Sequence, residues 1–125
     1  MQLILIGLGG FLGAMARFAM GEWLYMENGF PVGTLAVNLI GCLALGWFLA
    51  FAKRRGIQSE YVLLIGTGFL GSFTTFSTFS VESVDLMTKG SISVALVYLL
   101  TTILAGILLA YIGYKIGSTE GAAKS

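Results

Sequence analysis

Apolar residues run far enough to cross a membrane four times along this chain. Uncharged runs extend from Leu3 to Met20, interrupted only by Arg17, then over Gly33 to Ala52, Tyr61 to Val81 and Ile92 to Tyr114. A helix rises about 1.5 Å per residue, so each run is long enough for a hydrocarbon core of about 30 Å. The pattern predicts an all-α membrane protein with transmembrane helices over about 3–24, 33–52, 61–88 and 92–114. They form one domain, residues 1–117, followed by a small polar tail, 118–125, expected to fray. The first run has no basic region ahead of it and no small-residue cleavage pattern before Glu22, so it reads as a retained helix and not a cleaved signal. The connections are short: Gly21 to Val32, which holds the single proline Pro31; Lys53 to Glu60; and Glu82 to Ser91, most of which continues the third helix.

Composition narrows the function. The 125 residues are 57% hydrophobic and 10% charged, against about 25% charged in soluble domains. A net charge of +1 implies neither a nucleic-acid surface nor an acidic tail. Without histidine, and with Cys42 as the single cysteine, there is no Ser-His-Asp triad, no Cys-His dyad, no zinc set and no intrachain disulfide, so an enzyme is not expected. Cys42 reads as a small buried hydrophobe. The 18 glycines are twice the usual share and fall mostly inside the spans. Gly9 with Gly13, Gly10 with Ala14 and Gly106 with Ala110 are small-xxx-small pairs that let helices approach, within one chain or between copies. Four short helices enclose little, so a permeation path calls for a second copy.

The third span is unlike a lipid-facing helix. From Gly66 through Gly68 and Gly71 it passes into Ser72-Phe73-Thr74-Thr75-Phe76-Ser77-Thr78-Phe79-Ser80. Glycines and hydroxyls that compete for backbone hydrogen bonds predict a helix broken mid-membrane. Such backbone is tolerated at that depth only where protein covers it or it lines a hydrated cavity, and the freed carbonyls are good ion ligands. Phe76 and Phe79 share a helical face. They either pack or present their partly positive ring edges to a small anion, with the hydroxyls of Thr75 and Ser77 beside them.

Other polar residues stand out against the apolar spans. Asn38 needs a partner in the second span: an interhelical hydrogen bond or a permeating anion. Tyr98, Thr101 and Thr102 offer hydroxyls on the fourth span, Tyr98 and Thr102 on one face, as packing residues or as a donor track. Arg17 is the charge well inside the first span, which makes a functional role the default. Its neighbour Glu22 is poorly phased with it. Asp85 and Lys89 form an ordinary i,i+4 pair, while Glu82 is open to either a structural or a functional role.

Together these residues resemble a specific family. Gly33-Thr34-Leu35-x-Val37-Asn38-x-x-Gly41, the run Gly68-x-x-Gly71-x-x-Thr74-Thr75-Phe76-Ser77-Thr78-Phe79-Ser80-x-Glu82, and Arg17 are similar to the Fluc (CrcB) family of microbial fluoride channels, and the likeness covers all four spans. The resemblance implies an antiparallel, dual-topology homodimer in the prokaryotic plasma membrane, carrying two pores that export fluoride passively. It implies an ion pathway of Asn38, Thr75, Phe76, Ser77, Phe79, Tyr98 and Thr102, with Arg17, Thr34 and Glu82 as vestibule or structural polar groups. It also implies a structural sodium ion at the dimer interface, held by the backbone carbonyls of Gly71 and Thr74. Where the family's donor track continues down the last helix, this chain has Gly106 and Ala110, which offer no side-chain donor.

Two other readings compete. A proton-coupled exporter of the small multidrug resistance type needs a carboxylate near the middle of the first span, and Gly9 to Ala16 contains none. A noncatalytic assembly subunit would not conduct alone. Orientation is in tension with the homodimer: Lys53, Arg54, Arg55, Lys115 and Lys124 fall on the face shared by both termini, and only Lys89 falls on the other. That bias favours cytoplasmic termini, whereas a single-chain antiparallel dimer needs insertion both ways.

Overall fold

The computed structural model describes residues 1–24 and 30–119 and is all-helical there. Helix α1 is Gln2–Trp23 and α2 is Val32–Arg55. Helix α3, residues 59–73, begins as an α turn at Ser59–Val62, widens to π pitch over Leu63–Leu70 and tightens again at Gly71–Phe73. The chain then leaves helical geometry, with Thr74 extended at φ −79° and ψ 156°. Helix α4 is Ser77–Thr88 and α5 is Ile92–Thr119. Four helical stretches, the third running Ser59–Thr88, are long and apolar enough to cross a membrane.

Two ends differ from the sequence pattern. Helix α2 runs one turn past Ala52, because charged residues are good helix formers and the stop is Gly56, whose left-handed φ of 64° closes the helix with Ile57 N–H on the Ala52 carbonyl at 3.0 Å. The basic triplet therefore lies in the helix and not in the loop. Helix α5 continues through Ser118 and Thr119, since Gly117 is packed against α2; the remainder of the predicted tail, 120–125, and loop residues 25–29 lie outside the described residues.

The helices associate as two parallel pairs. Along α1 and α3, a methyl on Gly9 would overlap the Leu64 carbonyl and one on Gly13 the Phe69 carbonyl, while Gly68 faces the Ile6 carbonyl. Along α2 and α5, Gly46 meets the Ala110 backbone, Gly113 meets Leu43 and Trp47, and Gly117 meets Trp47. Backbone approach of this kind is how helices gain contact where lipid removes the hydrophobic drive. The Gly9/Gly13 pair and the Gly106/Ala110 face are thus engaged inside the chain, Gly106 lying against Cys42 Sγ. Two small cores remain: Phe79, Leu86, Ala95 and Tyr98 between α4 and α5, and Phe48, Ala52 and Leu70 between α2 and α3. Outward faces such as Leu8, Phe11, Met15, Leu104 and Ile107 stay exposed, as lipid-facing side chains do.

Candidate functional site

The non-helical stretch is held by one side chain. Asn38, 8% exposed, donates from Nδ2 to the Thr75 carbonyl at 2.9 Å and accepts the Thr75 amide on Oδ1 at 2.8 Å. The amide thus mimics a backbone partner across the helix pair. In a continuous helix the Thr75 amide would bond the Gly71 carbonyl and the Thr78 amide the Thr74 carbonyl. Asn38 takes the first, and Thr75 Oγ1 takes the second at 3.1 Å. The Gly71 carbonyl keeps only a long bond from Thr74 Oγ1, 3.4 Å, and Gly71 itself is exposed. Two hard oxygens are left without their helical donors.

Beside this stretch, a cleft of about 460 Å³ opens between α2 and α5. Asn38, Thr74, Thr75 and Thr102 supply its polar atoms, and Cys42, Phe76, Phe79 and Gly106 much of the rest. The rings of Phe76 and Phe79 lie 6.0 Å apart and tilted by 50°. Their burial differs: Phe79 is 7% exposed and packs on Tyr98 at 5.2 Å, whereas Phe76 is 79% exposed. Thr102 spends its proton on the Tyr98 carbonyl at 2.7 Å, so it must rotate to donate into the cleft. Ser77 is exposed, with Oγ 3.4 Å from Thr75 Oγ1. Thr101 is exposed on α5.

A second recess, about 310 Å³, is lined by Arg17, Glu22, Thr34, Val37, Thr75 and Thr78 among others. Arg17 and Glu22 face the same recess although their spacing is poor for a helical pair. Thr75 lines both hollows. To one side, Glu82 accepts the Thr34 hydroxyl at 2.6 Å on Oε1, while the hydroxyl of Tyr98, a fully buried residue, lies 3.5 Å from Oε2. Thr34, Glu82 and Tyr98 were separate in the sequence and form one group in space. Phe30 completes it, edge-on to Tyr98 at 5.7 Å and 84°. Sequence reasoning missed Phe30, which follows no periodic pattern. It also missed Gly41 and Cys42 as cleft residues, though three- and four-residue spacing from Asn38 places them on its face. Asp85 and Lys89 pair at 2.9 Å, exposed and apart from both hollows.

The family described as "CrcB-like protein, Camphor Resistance (CrcB)" matches residues 4–114. The chain belongs to this family. Among its CrcB relatives, a "Fluoride-specific ion channel FluC" of Oceanobacillus iheyensis is 48% identical over 116 residues, covering 92% of this chain and 90% of the relative. A "Fluoride-specific ion channel FluC 1" of Bacillus cereus is 44% identical, covering 91% and 81%, and a "FluC 2" of Bacillus thuringiensis subsp. konkukian is 42% identical, covering 93% and 97%. With its four apolar helices, this CrcB chain is a multi-pass membrane protein.

Proposed function

We propose that the protein is a fluoride-selective channel that lets cytoplasmic fluoride leave passively, and so is not an enzyme. The observation that carries this is that Thr75 lines two hollows, a recess that includes Arg17 and a cleft of amide, hydroxyl and phenyl groups with no lysine or arginine in its lining. Relatives named as fluoride-specific channels over most of the chain support the ion's identity, and give no support to an exporter or an assembly subunit.

Fluoride is small and strongly hydrated, so a path must replace its water with donors at short range. Asn38 retains a second N–H beyond its bond to Thr75, Thr75 and Ser77 supply hydroxyls, and Phe76 and Phe79 supply ring edges. Tyr98 and Thr102 extend the donors along α5, while Thr34 and Glu82 fix the end near the vestibule. Because none of the cleft groups is cationic, binding stays weak enough for release. Passive leak suffices to detoxify fluoride that enters as HF and ionises inside the cell.

The working unit is an antiparallel homodimer in the inner membrane. Phe76 and Gly71 are exposed and Thr74 is half-buried in one chain, in the middle of a span where lipid gives no hydrogen bonds. A second copy covers them. In that interface the Gly71 and Thr74 carbonyls suit sodium, a hard cation that takes oxygen ligands, and their helical donors are diverted to Asn38 and Thr75. Bound there, sodium would neutralise the facing carbonyl dipoles and join the subunits.

Fluoride efflux from proteoliposomes of the purified chain, measured beside chloride, tests the reading. Rapid fluoride efflux independent of a proton gradient, with chloride near background, is the expected result; proton-coupled turnover or no flux would overturn it. Replacing sodium by a large organic cation should abolish flux or separate the subunits, and full activity would remove the ion from the scheme. A single cysteine at Gln58, with Cys42 replaced, should label from outside the cell in about half the copies if insertion is dual. One-sided protection would replace the homodimer by a pair of different chains.

A further inference from the structure

One end of the molecule gathers cations, beyond the end of the cleft that reaches Leu45 and Ala110. Because α2 and α5 run parallel, the last turn of α2, with Lys53, Arg54 and Arg55, lies at the level of Lys115 and Gly117 on α5. Among the described residues the acid at this end is Glu60, while the other end sets Arg17 and Lys89 against Glu22, Glu82 and Asp85. Lys89 is held by Asp85, whereas Lys53, Arg55 and Lys115 form no ion pair among the described residues.

The cations are arranged on aromatic rings. Gly113 and Gly117 bring the end of α5 against Trp47, and Arg54 Nε donates to the Gly117 carbonyl at 2.9 Å, in the turn where helical carbonyls lack amide partners. Trp47 and Phe51 stack at 5.0 Å and 17°. Over that same Phe51 ring lie Arg54, 5.5 Å from the centroid, and Arg55, 5.8 Å from it. Arg54 and Arg55 follow Phe51 by three and four residues, the helical spacing that brings both guanidiniums to its ring. Lys115 lies over Tyr111 at 5.4 Å, and Tyr111 is 57% exposed. Aromatic rings with cations above them, at the polar end of membrane helices, match the level of lipid headgroups.

We infer that this end of the α2–α5 pair binds the phosphate of an anionic membrane lipid. Lys53 and Arg55 are its principal ligands, Lys115 flanks them, and Arg54 is the positioning residue that ties the two helix ends together. A phosphate beside Lys53 and Arg55 takes charge-assisted hydrogen bonds from both and offsets the repulsion among neighbouring like charges. A lipid fits better than free phosphate because Tyr111 and exposed Leu49 offer apolar surface one to two turns from the charges. The site requires only that the chain spans a membrane, so it stands or falls separately from the fluoride path.

The test is native mass spectrometry of the purified full chain offered phosphatidylglycerol and phosphatidylcholine in equal amounts. Wild type should retain phosphatidylglycerol preferentially. Lys53→Gln, Arg55→Gln and Lys115→Gln combined, with Arg54 kept, should lower that retention tenfold or more, since each cation near a membrane surface is worth roughly fivefold. Lys89→Gln at the opposite end should change nothing. Equal retention of the two lipids by wild type overturns the inference without any variant needing to fold, as does unchanged retention in the folded triple variant. Displacement of phosphatidylglycerol by excess inorganic phosphate would identify a free-anion site and also overturn it.

Discussion

Two kinds of contact divide this molecule. Between α1 and α3, and between α2 and α5, glycine lets backbone lie on backbone with no room for a methyl group. Around the 460 Å³ cleft side chains take over part of the backbone's role: Asn38 bonds both the carbonyl and the amide of Thr75, beside an extended Thr74 whose methyl packs on Gly41. Absence of side chains closes the first region, while in the second side-chain hydrogen bonds substitute for backbone ones. In a bilayer, where each unpaired backbone group costs several kcal/mol, a break of this kind persists only if side chains meet the backbone's demand.

The largest effect should come from closing off that close approach. Gly13→Leu would drive a side chain into the Phe69 carbonyl and Ser72 Oγ, and should yield no stable folded protein, whereas Gly7→Leu on the same helix, with nothing within 4 Å, should purify normally. Thermal unfolding of the two variants decides whether the α1–α3 contact is as tight as described; equal stability would dissolve the comparison.

Next comes the amide itself. Asn38→Leu removes both bonds to Thr75 and strands buried backbone groups, at a cost of about 2–4 kcal/mol, and should lower fluoride flux at least a hundredfold. Asn38→Asp keeps the acceptor for the Thr75 amide and loses the donor, so it should fall between Leu and wild type in both stability and flux. If Asn38→Leu conducted normally, the path would not depend on the amide.

The rings should separate stability from conduction. Phe76→Ile and Phe79→Ile both lose the ring edge while keeping bulk, and each should reduce fluoride efflux tenfold or more. Unfolding should show about 1 kcal/mol lost at Phe79, buried within the chain, and a smaller loss at Phe76, whose ring only the second copy covers. Unchanged flux in both would return the pair to packing. The smallest effect is expected at the margin, where Glu82→Gln weakens a charge-assisted bond from Thr34 by about 1 kcal/mol and should slow flux only severalfold. A loss as large as that of Asn38→Leu would move Glu82 into the path.

How much was legible depended on distance along the chain. The four spans follow from apolar runs, and the Asp85–Lys89 pair and the shared face of Phe76 and Phe79 follow from helical spacing, because each is a local property of three to twenty residues. The Thr34–Glu82–Tyr98 group was not legible: its members are 48 and 16 residues apart, and no local rule joins them. Asn38 illustrates the boundary. An amide in an apolar helix announces that it needs a partner, and sequence alone left an interhelical bond and an ion as alternatives.

Thus the membrane class, the number of spans and the glycine-rich, hydroxyl-rich character of the third span were determined by sequence by itself, since composition and short-range periodicity reflect solvent and backbone geometry directly. Only the tertiary structure decided that Gly9, Gly13 and Gly106 are engaged within the chain, that Asn38 diverts the Thr75 amide from Gly71, and that Thr75 lines two hollows. Those outcomes depend on which helix faces which. In lipid, where apolar faces are nearly interchangeable, that pairing is set by the fit of small residues and the need to satisfy a few polar groups across the whole chain.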